Sequence, residues 1–344
     1  MINIHVICIT LITLLLIYDY NCPGSEVARI QDPQFSLLGP YNESVIQTKD
    51  DYKKLIDINN FTFTRNPNPC RKYPAGFLLL VIVSSNPVNF EKRTIIRNTW
   101  GKTIDTTKVV FLVGDTQNDT INLRLSHENI VHGDIVQGTF KDAYRNMTYK
   151  HVMGLKWVAH HCPMAKYILK TDDDVVVHSN EMRRFLAKEL SPWGARGLMA
   201  CSMVWAAHVQ RTVPTKWTVT IDEYKSDYFP AYCQGWAVLY SPDVVSRLLE
   251  VAQKSPYFWI DDIYITGVMA QKIGVSISSI SGLILTWRQV KNLKNLGPKY
   301  IGNFLYGPQD LTAETVKQRP SNEVMQPGFS THFLGSFLSN HLEF

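Results

Sequence analysis

No cluster of lysines or arginines occurs in this chain: 35 basic residues against 30 acidic ones leave a net charge of +5, spread along 344 residues. A nucleic-acid partner, which is held by clustered cations, is therefore not expected. A glycine-rich Walker loop is also missing, so ATP chemistry has no support. The six cysteines show neither C-x-x-C nor Cys/His zinc spacing, which argues against a metal framework. No internal repeat or low-complexity tract appears. What remains is 45% hydrophobic and 19% charged, the balance of a globular protein with one large domain or two ordinary ones. The 8 Trp and 16 Tyr suit a ligand with flat or ring-shaped faces.

One apolar stretch stands apart at the N-terminus, INIHVICITLITLLLIY over 2–18, followed by Asp19. As a helix rising about 1.5 Å per residue, it only just spans a hydrocarbon layer of about 27 Å. It reads as a cleaved signal peptide or a short signal anchor over 1–18, although no Lys or Arg precedes it. Targeting to the secretory pathway agrees with four N-glycosylation sequons, at Asn42, Asn60, Asn118 and Asn146. In an oxidising lumen Cys70, Cys162, Cys201 and Cys233 form two disulfides and leave Cys22 odd. The expected pairs are Cys70–Cys162 and Cys201–Cys233, one of the three pairings that four cysteines allow.

Residues 19–74 are polar and broken by Pro23, Pro33, Pro40, Pro67, Pro69 and Pro74, which predicts a luminal stem. The globular domain is expected over 75–344. GFLLLVIVSS (76–85) is a continuous apolar run, the mark of a strand covered on both faces. NFEKRTIIRNTWG then predicts a helix with Asn89 as N-cap and Gly101 as its stop. Further strands are expected at 109–114, 134–138, 167–171, 198–205 and 232–241, and helices within 141–161, after Ser241-Pro242, and before Gly274. Strands alternating with helices predict an α/β fold with a mainly parallel sheet, helices on both faces, and ligands at the carboxyl ends of the strands.

Three aspartates, Asp172, Asp173 and Asp174, end the strand YILKT. Side by side, each carboxylate raises the proton affinity of the others. In extended geometry Asp172 and Asp174 share one side and Asp173 takes the other. This is a DxD arrangement for Mn²⁺ or Mg²⁺, hard cations that prefer carboxylate oxygens and in turn bind a diphosphate. A second pair, Asp261-Asp262, precedes an apolar helix. It reads either as helix capping or as a general base that deprotonates a hydroxyl. Metal, diphosphate and a distant carboxylate together suggest transfer from a nucleotide sugar.

The ordered motifs RTIIRNTWG (93–101), FLVG (111–114), DIVQGTFKDAYRNMTYK (134–150), KYILKTDDDVVV (166–177), FPAYCQGWAVLYS (229–241) and IDDIYITG (260–267) resemble the β-1,3-galactosyltransferase and β-1,3-N-acetylglucosaminyltransferase superfamily, with Fringe a more remote relative. The resemblance implies a GT-A glycosyltransferase fold, Rossmann-like, in a single-pass type II Golgi membrane protein with its catalytic domain in the lumen. It implies an inverting β1-3 transfer from a UDP-sugar, galactose first, to a glycan on protein or lipid, with Mn²⁺ as cofactor. UDP-GlcNAc or UDP-GalNAc is the alternative donor, and an inactive secreted glycan-binding protein the alternative of another class.

By the same resemblance Asp262 is the catalytic base with Asp261 beside it, and Asp172 and Asp174 hold the metal. Arg93, Arg97, Asp142, Asp172 and Asp173 lie at the donor, although Arg93 and Arg97 equally suit bracing of the first helix. Tyr232, Gly235 and Trp236 fall in the acceptor region. There Gly235-Trp236 departs from the family's usual Gly-rich stretch, and His178 replaces a usual Asn. Late histidines His332 and His341 are candidates for a further metal ligand by position only. Trp100 and Trp157 read as core.

Overall fold

The computed structural model describes residues 35–40, 48–212, 214–286, 289–290 and 304–307. The N-terminal apolar stretch, Asn42, His332 and His341 lie outside them. Among the described residues no helix is long and apolar enough to cross a membrane.

An eight-stranded sheet organises the domain. In chain order its strands are β1 (Phe63–Arg65), β2 (Phe77–Ser84), β3 (Thr107–Asp115), β4 (Ile135–Lys141), β5 (Ala165–Asp172), β6 (Met199–Val204), β7 (Tyr232–Tyr240) and β8 (Ser278–Ser279). They lie side by side as β8-β6-β7-β5-β2-β3-β4-β1. The β5-β2-β3-β4 centre is parallel, whereas β7 runs antiparallel to both β5 and β6, and β1 antiparallel to β4. From β2 the chain moves to β3 and β4 on one side and returns to β5 on the other. The carboxyl ends of β2 and β5, where Ser84 faces Asp172, therefore form the switch point at which such sheets bind ligands.

The continuous apolar runs of β2 and β5 are explained by two cores. Leu80, Ile82 and Ile168 point to one side, onto helices α3 (Met147–His161) and α4 (Pro242–Ala252). Leu79, Val81, Tyr167 and Leu169 point to the other, onto Ile96 of α1 (Phe90–Asn98) and Met182 of a short helix after the aspartates. Period-two alternation sends neighbours to opposite faces, and both faces are covered. Trp157 is fully buried in the first core, as expected. His178 accepts from the Glu181 N–H at 3.3 Å and caps the helix Ser179–Arg184.

Helix α2 (Asp119–His132) was not legible from periodicity. Its Leu123, Ile130 and Val131 are exposed and Leu125 is its buried side chain. Its ends define it instead: Asn118 accepts from the Ile121 N–H at 3.1 Å, and Gly133 closes it at φ 61°, a left-handed conformation cheap for glycine. The sequon at Asn118 thus sits on an exposed N-cap and that at Asn60 is exposed as well, while the Asn146 amide donates to the Lys141 carbonyl at 2.9 Å.

The stem boundary at residue 74 is corrected by packing. Leu55, Ile56 and Phe61 are buried in the first core, and β1 pairs with β4. Asp50 is bonded by Lys156, His160 and Gln253, and Trp157 donates to Asn66 at 2.8 Å. A polar, proline-broken composition misled because this segment adds few apolar side chains, each set between larger elements.

Both expected disulfides are present, Cys70–Cys162 and Cys201–Cys233, with Cα–Cα separations of 5.4 and 5.6 Å. The first closes a span of 92 residues. Loop-closure entropy for such a span amounts to about 4–5 kcal/mol, and removing a native bridge costs about 2–5 kcal/mol. Cys70→Ser/Cys162→Ser is expected to lower the unfolding midpoint in urea accordingly. An unchanged midpoint contradicts this, as do free thiols found by peptide mapping without reductant. The second bridge joins β6 to β7 beside a bulge between Cys201 and Met203, at the base of the excursion over residues 205–231.

Candidate active site

A cavity of about 600 Å³ opens at the carboxyl edge of the sheet. Its lining combines charged Lys170, Asp172, Asp261 and Asp262 with the aromatic rings of Tyr144, Trp217, Tyr232, Trp236 and Trp259. Strands β5, β6 and β7 contribute to it, and β2 does not. Lys170 and Asp172 come from the end of β5, Gly235 and Trp236 from β7, and the acid pair from the start of the wide π-helical turn Ile263–Met269. The 205–231 excursion supplies Trp217 and is pinned by Arg211, whose guanidinium donates to the Tyr224 and Ser226 carbonyls. Arg145 pairs with Glu223 of the same excursion and lies over the Trp259 ring at 4.3 Å.

The strand ends at Asp172 and the next two aspartates lie in a turn, so the extended-geometry expectation holds only in part. Asp173 faces away from Asp172, while Asp174 is not among the residues that line the cavity. Asp172 faces the cavity and accepts from Lys170 at 2.8 Å. Asp173 turns the other way and accepts from the Ser85 hydroxyl at 2.7 Å, the Asn89 amide at 2.9 Å and the Asn86 N–H at 3.3 Å, with Lys92 at 3.6 Å. Asn89 therefore serves Asp173 and makes no side-chain bond to its own helix. Protein cations, a hydroxyl and amide groups answer much of the charge. Burial pushes the Asp172 carboxyl above the usual carboxylate range, helped by Asp261 and Asp173, because one buried Lys170 cannot balance so many acids. Among the described residues no three His, Cys, Asp or Glu side chains form a metal cage. Of the two expected ligands, Asp172 lines the cavity and Asp174 is not among its lining residues; Asp172 offers a hard cation one carboxylate, and such a cation takes further oxygens from phosphate and water.

The other expected donor contacts resolve as bracing. Arg93 is fully buried and donates to Glu128 at 2.7 and 2.9 Å, Ser85 at 3.0 Å and the Asn86 and Pro87 carbonyls. Arg97 joins Glu128 at 2.7 Å and Asp134 at 2.8 Å. Asp142 receives the Gly114 N–H at 2.6 Å and Lys150 at 3.0 Å, while Lys150 also donates to the Ser85 carbonyl at 2.7 Å. None of Arg93, Arg97, Asp142 and Asp173 lines the cavity; Arg93 and Asp173 hold the loop over 85–87, while Arg97 and Asp142 brace neighbouring elements. Sequence spacing places a residue near a site without saying which way its side chain turns.

The acid pair is asymmetric. Asp261 accepts from His151 Nδ1 at 2.9 Å and lies 3.8 Å from Lys170 Nζ. His151 Nε2 in turn meets the Tyr240 hydroxyl at 3.2 Å. Burial raises the Asp261 carboxyl, but Lys170 and His151 outweigh it and hold Asp261 below the ordinary range. Asp262 accepts from the Ile263 N–H at 2.8 Å and is also hydrogen-bonded by the Gly235 backbone. Burial and the neighbouring Asp261 charge push its carboxyl well up. Two adjacent carboxylates with opposed shifts mark an acid–base site. His151, Lys170 and Tyr240 escaped sequence reasoning. The available signals were a lysine inside a buried strand and a histidine on the buried face of α3, neither specific by itself.

Gly235 packs closely against Asp262. A Cβ there would lie 3.0 Å from the Asp262 Cβ and 3.3 Å from its Oδ2. Gly235→Ala is expected to displace Asp262 by a few tenths of an ångström and reduce turnover about tenfold or more, since misplacement by 1 Å can cost about 10²-fold. UDP affinity should be unchanged. Turnover equal to wild type, with correct folding, would show that the close approach is not needed.

These features define a protein of the glycosyltransferase class. Residues 91–281 match the galactosyltransferase family, and the chain belongs to it. It is 30% identical to beta-1,3-galactosyltransferase 5 of Gorilla gorilla gorilla over 249 residues, covering 71% of this chain and 78% of that protein. Identity to beta-1,3-galactosyltransferase 4 of Rattus norvegicus is 30% over 240 residues, with 61% and 64% covered. Among solved structures, the apo structure of the WbbM bifunctional glycosyltransferase matches with a TM-score of 0.33 at 13% identity, over 62% of this chain and 40% of that one.

Proposed function

We propose that the protein is an inverting hexosyltransferase that moves galactose from UDP-galactose to a hydroxyl of an acceptor glycan in a β1-3 linkage. The observation that carries this reading is Asp262, a carboxyl of raised proton affinity that lines a cavity together with Asp172 and several aromatic rings. The names of the relatives favour galactose as the sugar. Asp262 takes the proton of the acceptor hydroxyl, the acceptor oxygen bonds to the anomeric carbon, and the bond from that carbon to the diphosphate oxygen breaks, releasing UDP. Aromatic faces such as Trp217 and Tyr144, about half exposed, suit the apolar faces of sugar rings. Asp172 would hold a divalent cation such as Mn²⁺, with Asp174 the second expected ligand, and the cation would supply charge neutralisation for the departing diphosphate. The N-terminal apolar stretch, the exposed sequons and the two disulfides support a type II location in the Golgi membrane, with the domain luminal.

The deciding measurement is release of UDP from a panel of UDP-sugars, with glycan acceptors, with and without Mn²⁺. Transfer from UDP-galactose that needs the metal supports the reading. Preference for UDP-GlcNAc or UDP-GalNAc changes the donor, and silence with every pair favours a glycan-binding protein. In parallel, Mn²⁺ plus UDP should raise the melting temperature of the wild type by mass action. Asp172→Asn should lose that rise; a retained rise removes Asp172 from the donor site.

A further inference from the structure

Two lysines line the cavity, and one of them, Lys170, is paired with Asp172. The other, Lys216, is exposed and forms no ion pair among the described residues. Its ammonium lies 4.4 Å from the centre of the Trp217 ring and 5.6 Å from that of Tyr144, and both rings also line the cavity. A turn presents this group. The Thr218 N–H donates to the Thr215 carbonyl at 3.2 Å, the Trp217 N–H to the Thr215 hydroxyl at 3.2 Å, and the Thr215 N–H to the Thr218 hydroxyl at 2.8 Å. Lys216 and Trp217 are left at its tip. The next residue, Val219, is buried and donates its N–H to the Gln210 carbonyl at 2.9 Å, which fixes the turn to the excursion. Two acids of the same excursion are engaged elsewhere, Glu223 by Arg145 and Thr220, and Asp227 by Arg211 at 3.8 Å.

We propose that Lys216, with Trp217 and Tyr144, forms an acceptor subsite that selects glycans carrying an anionic group, a carboxylate or a sulfate, on the sugar next to the one being extended. This deepens the transferase reading and rests on it. Aromatic rings take the apolar faces of a sugar, and a cation set beside them gives that surface a preference for negative charge. Such complementarity sets specificity more than raw affinity. The subsite adjoins the base. Burial is the main influence on the Tyr144 hydroxyl, and among the charges Asp261 and Asp262 act on it more than Asp172 does. The acceptor hydroxyl has to reach Asp262, whereas the donor's diphosphate belongs at Asp172. Lys216 stands exposed at the tip of its turn, so the sugar it meets is the one beyond the reacting sugar.

The experiment measures kcat/KM for matched disaccharide acceptors. They share the terminal sugar accepted in the UDP-release panel and differ on the second sugar, which carries a free hydroxyl, a sulfate ester or a carboxylate. The readout is the ratio of anionic to neutral acceptor, in which a general loss of activity cancels. Wild type is expected to favour one of the anionic acceptors about fivefold, the scale of an exposed ion pair, and the two anionic arms tell which group is taken. Raising the salt to about 0.5 M should remove most of that preference by screening. Lys216→Met should bring the ratio to about one and Lys216→Glu below it, while Lys216→Arg should keep it, as expected of a contact on that scale. A wild-type ratio near one for both anions overturns the inference, and so does a preference retained in Lys216→Met. Weaker UDP binding in Lys216→Met, read by calorimetry, with the ratio unmoved also overturns it and places the lysine on the donor's diphosphate. An inactive wild type removes the transferase reading and this inference together, whereas an active wild type with an unmoved ratio removes this inference alone.

Discussion

Asp262→Asn is expected to abolish sugar transfer while leaving the protein folded and, at pH 8, slightly more stable than wild type. Loss of a general base lowers turnover by about 10²–10⁴-fold. Asn retains an oxygen for the Ile263 N–H, so the start of the turn Ile263–Met269 is kept. The stability change follows from linkage. The folded Asp262 carboxyl is raised above its unfolded value by burial and by Asp261. Its contribution is therefore fully favourable below the unfolded value and is lost as pH rises through the folded one. Asn carries no such penalty, so the two melting curves should coincide near pH 4 and separate above neutrality. The wild-type acid limb of kcat/KM should lie above the usual carboxylate range, since the base must be deprotonated to act. Near-wild-type turnover in Asp262→Asn, measured as UDP release, would remove Asp262 from the reaction.

Arg93→Met is expected to be the most destabilising single change outside the apolar cores. The guanidinium is fully buried and bonded to Glu128, Ser85 and two carbonyls, and breaking a buried pair by removing one partner costs about 3–5 kcal/mol. Glu128 is then left with Arg97. Burial raises the Glu128 carboxyl, but Arg93 and Arg97 outweigh it and hold it below the ordinary range. A depressed acid stabilises above its unfolded value, and that stability fades as pH falls through the folded one. The variant should therefore lose most relative to wild type at neutral pH and progressively less below about pH 4, a window set by the ordinary glutamate value. Chemical unfolding across pH measures this. A stable variant that has lost UDP affinity would instead make Arg93 a donor ligand.

The two arginines show the limit of motif reasoning. Their spacing of four residues on α1 was legible, and so was their nearness to the phosphate side of the sheet. Their targets were not: Glu128 comes from a helix whose weak periodicity hid it, and Asp134, at the start of an expected strand, meets Arg97 only through packing. Asp173 repeats the lesson: alternation along the strand foretold that it would face away from Asp172, while Ser85, Asn89 and Lys92 became its partners only through pairing of β5 with β2.

By itself the sequence determined the parallel strands, through apolar runs that only a doubly covered sheet can bury, and the position of the aspartates at a strand end. It also carried the order of motifs that marks the family. Tertiary structure decided where the domain begins, because Leu55, Ile56 and Phe61 gain their value only against α3 and the sheet. It decided as well which of two adjacent aspartates is poised to accept a proton. Asp261 and Asp262 are chemically identical in the chain. Lys170 reaches Asp261 from β5, His151 reaches it from α3, and Gly235 closes on Asp262 from β7. Proton affinity depends on burial and on charges within a few ångströms, and those distances exist only once the strands and helix are packed.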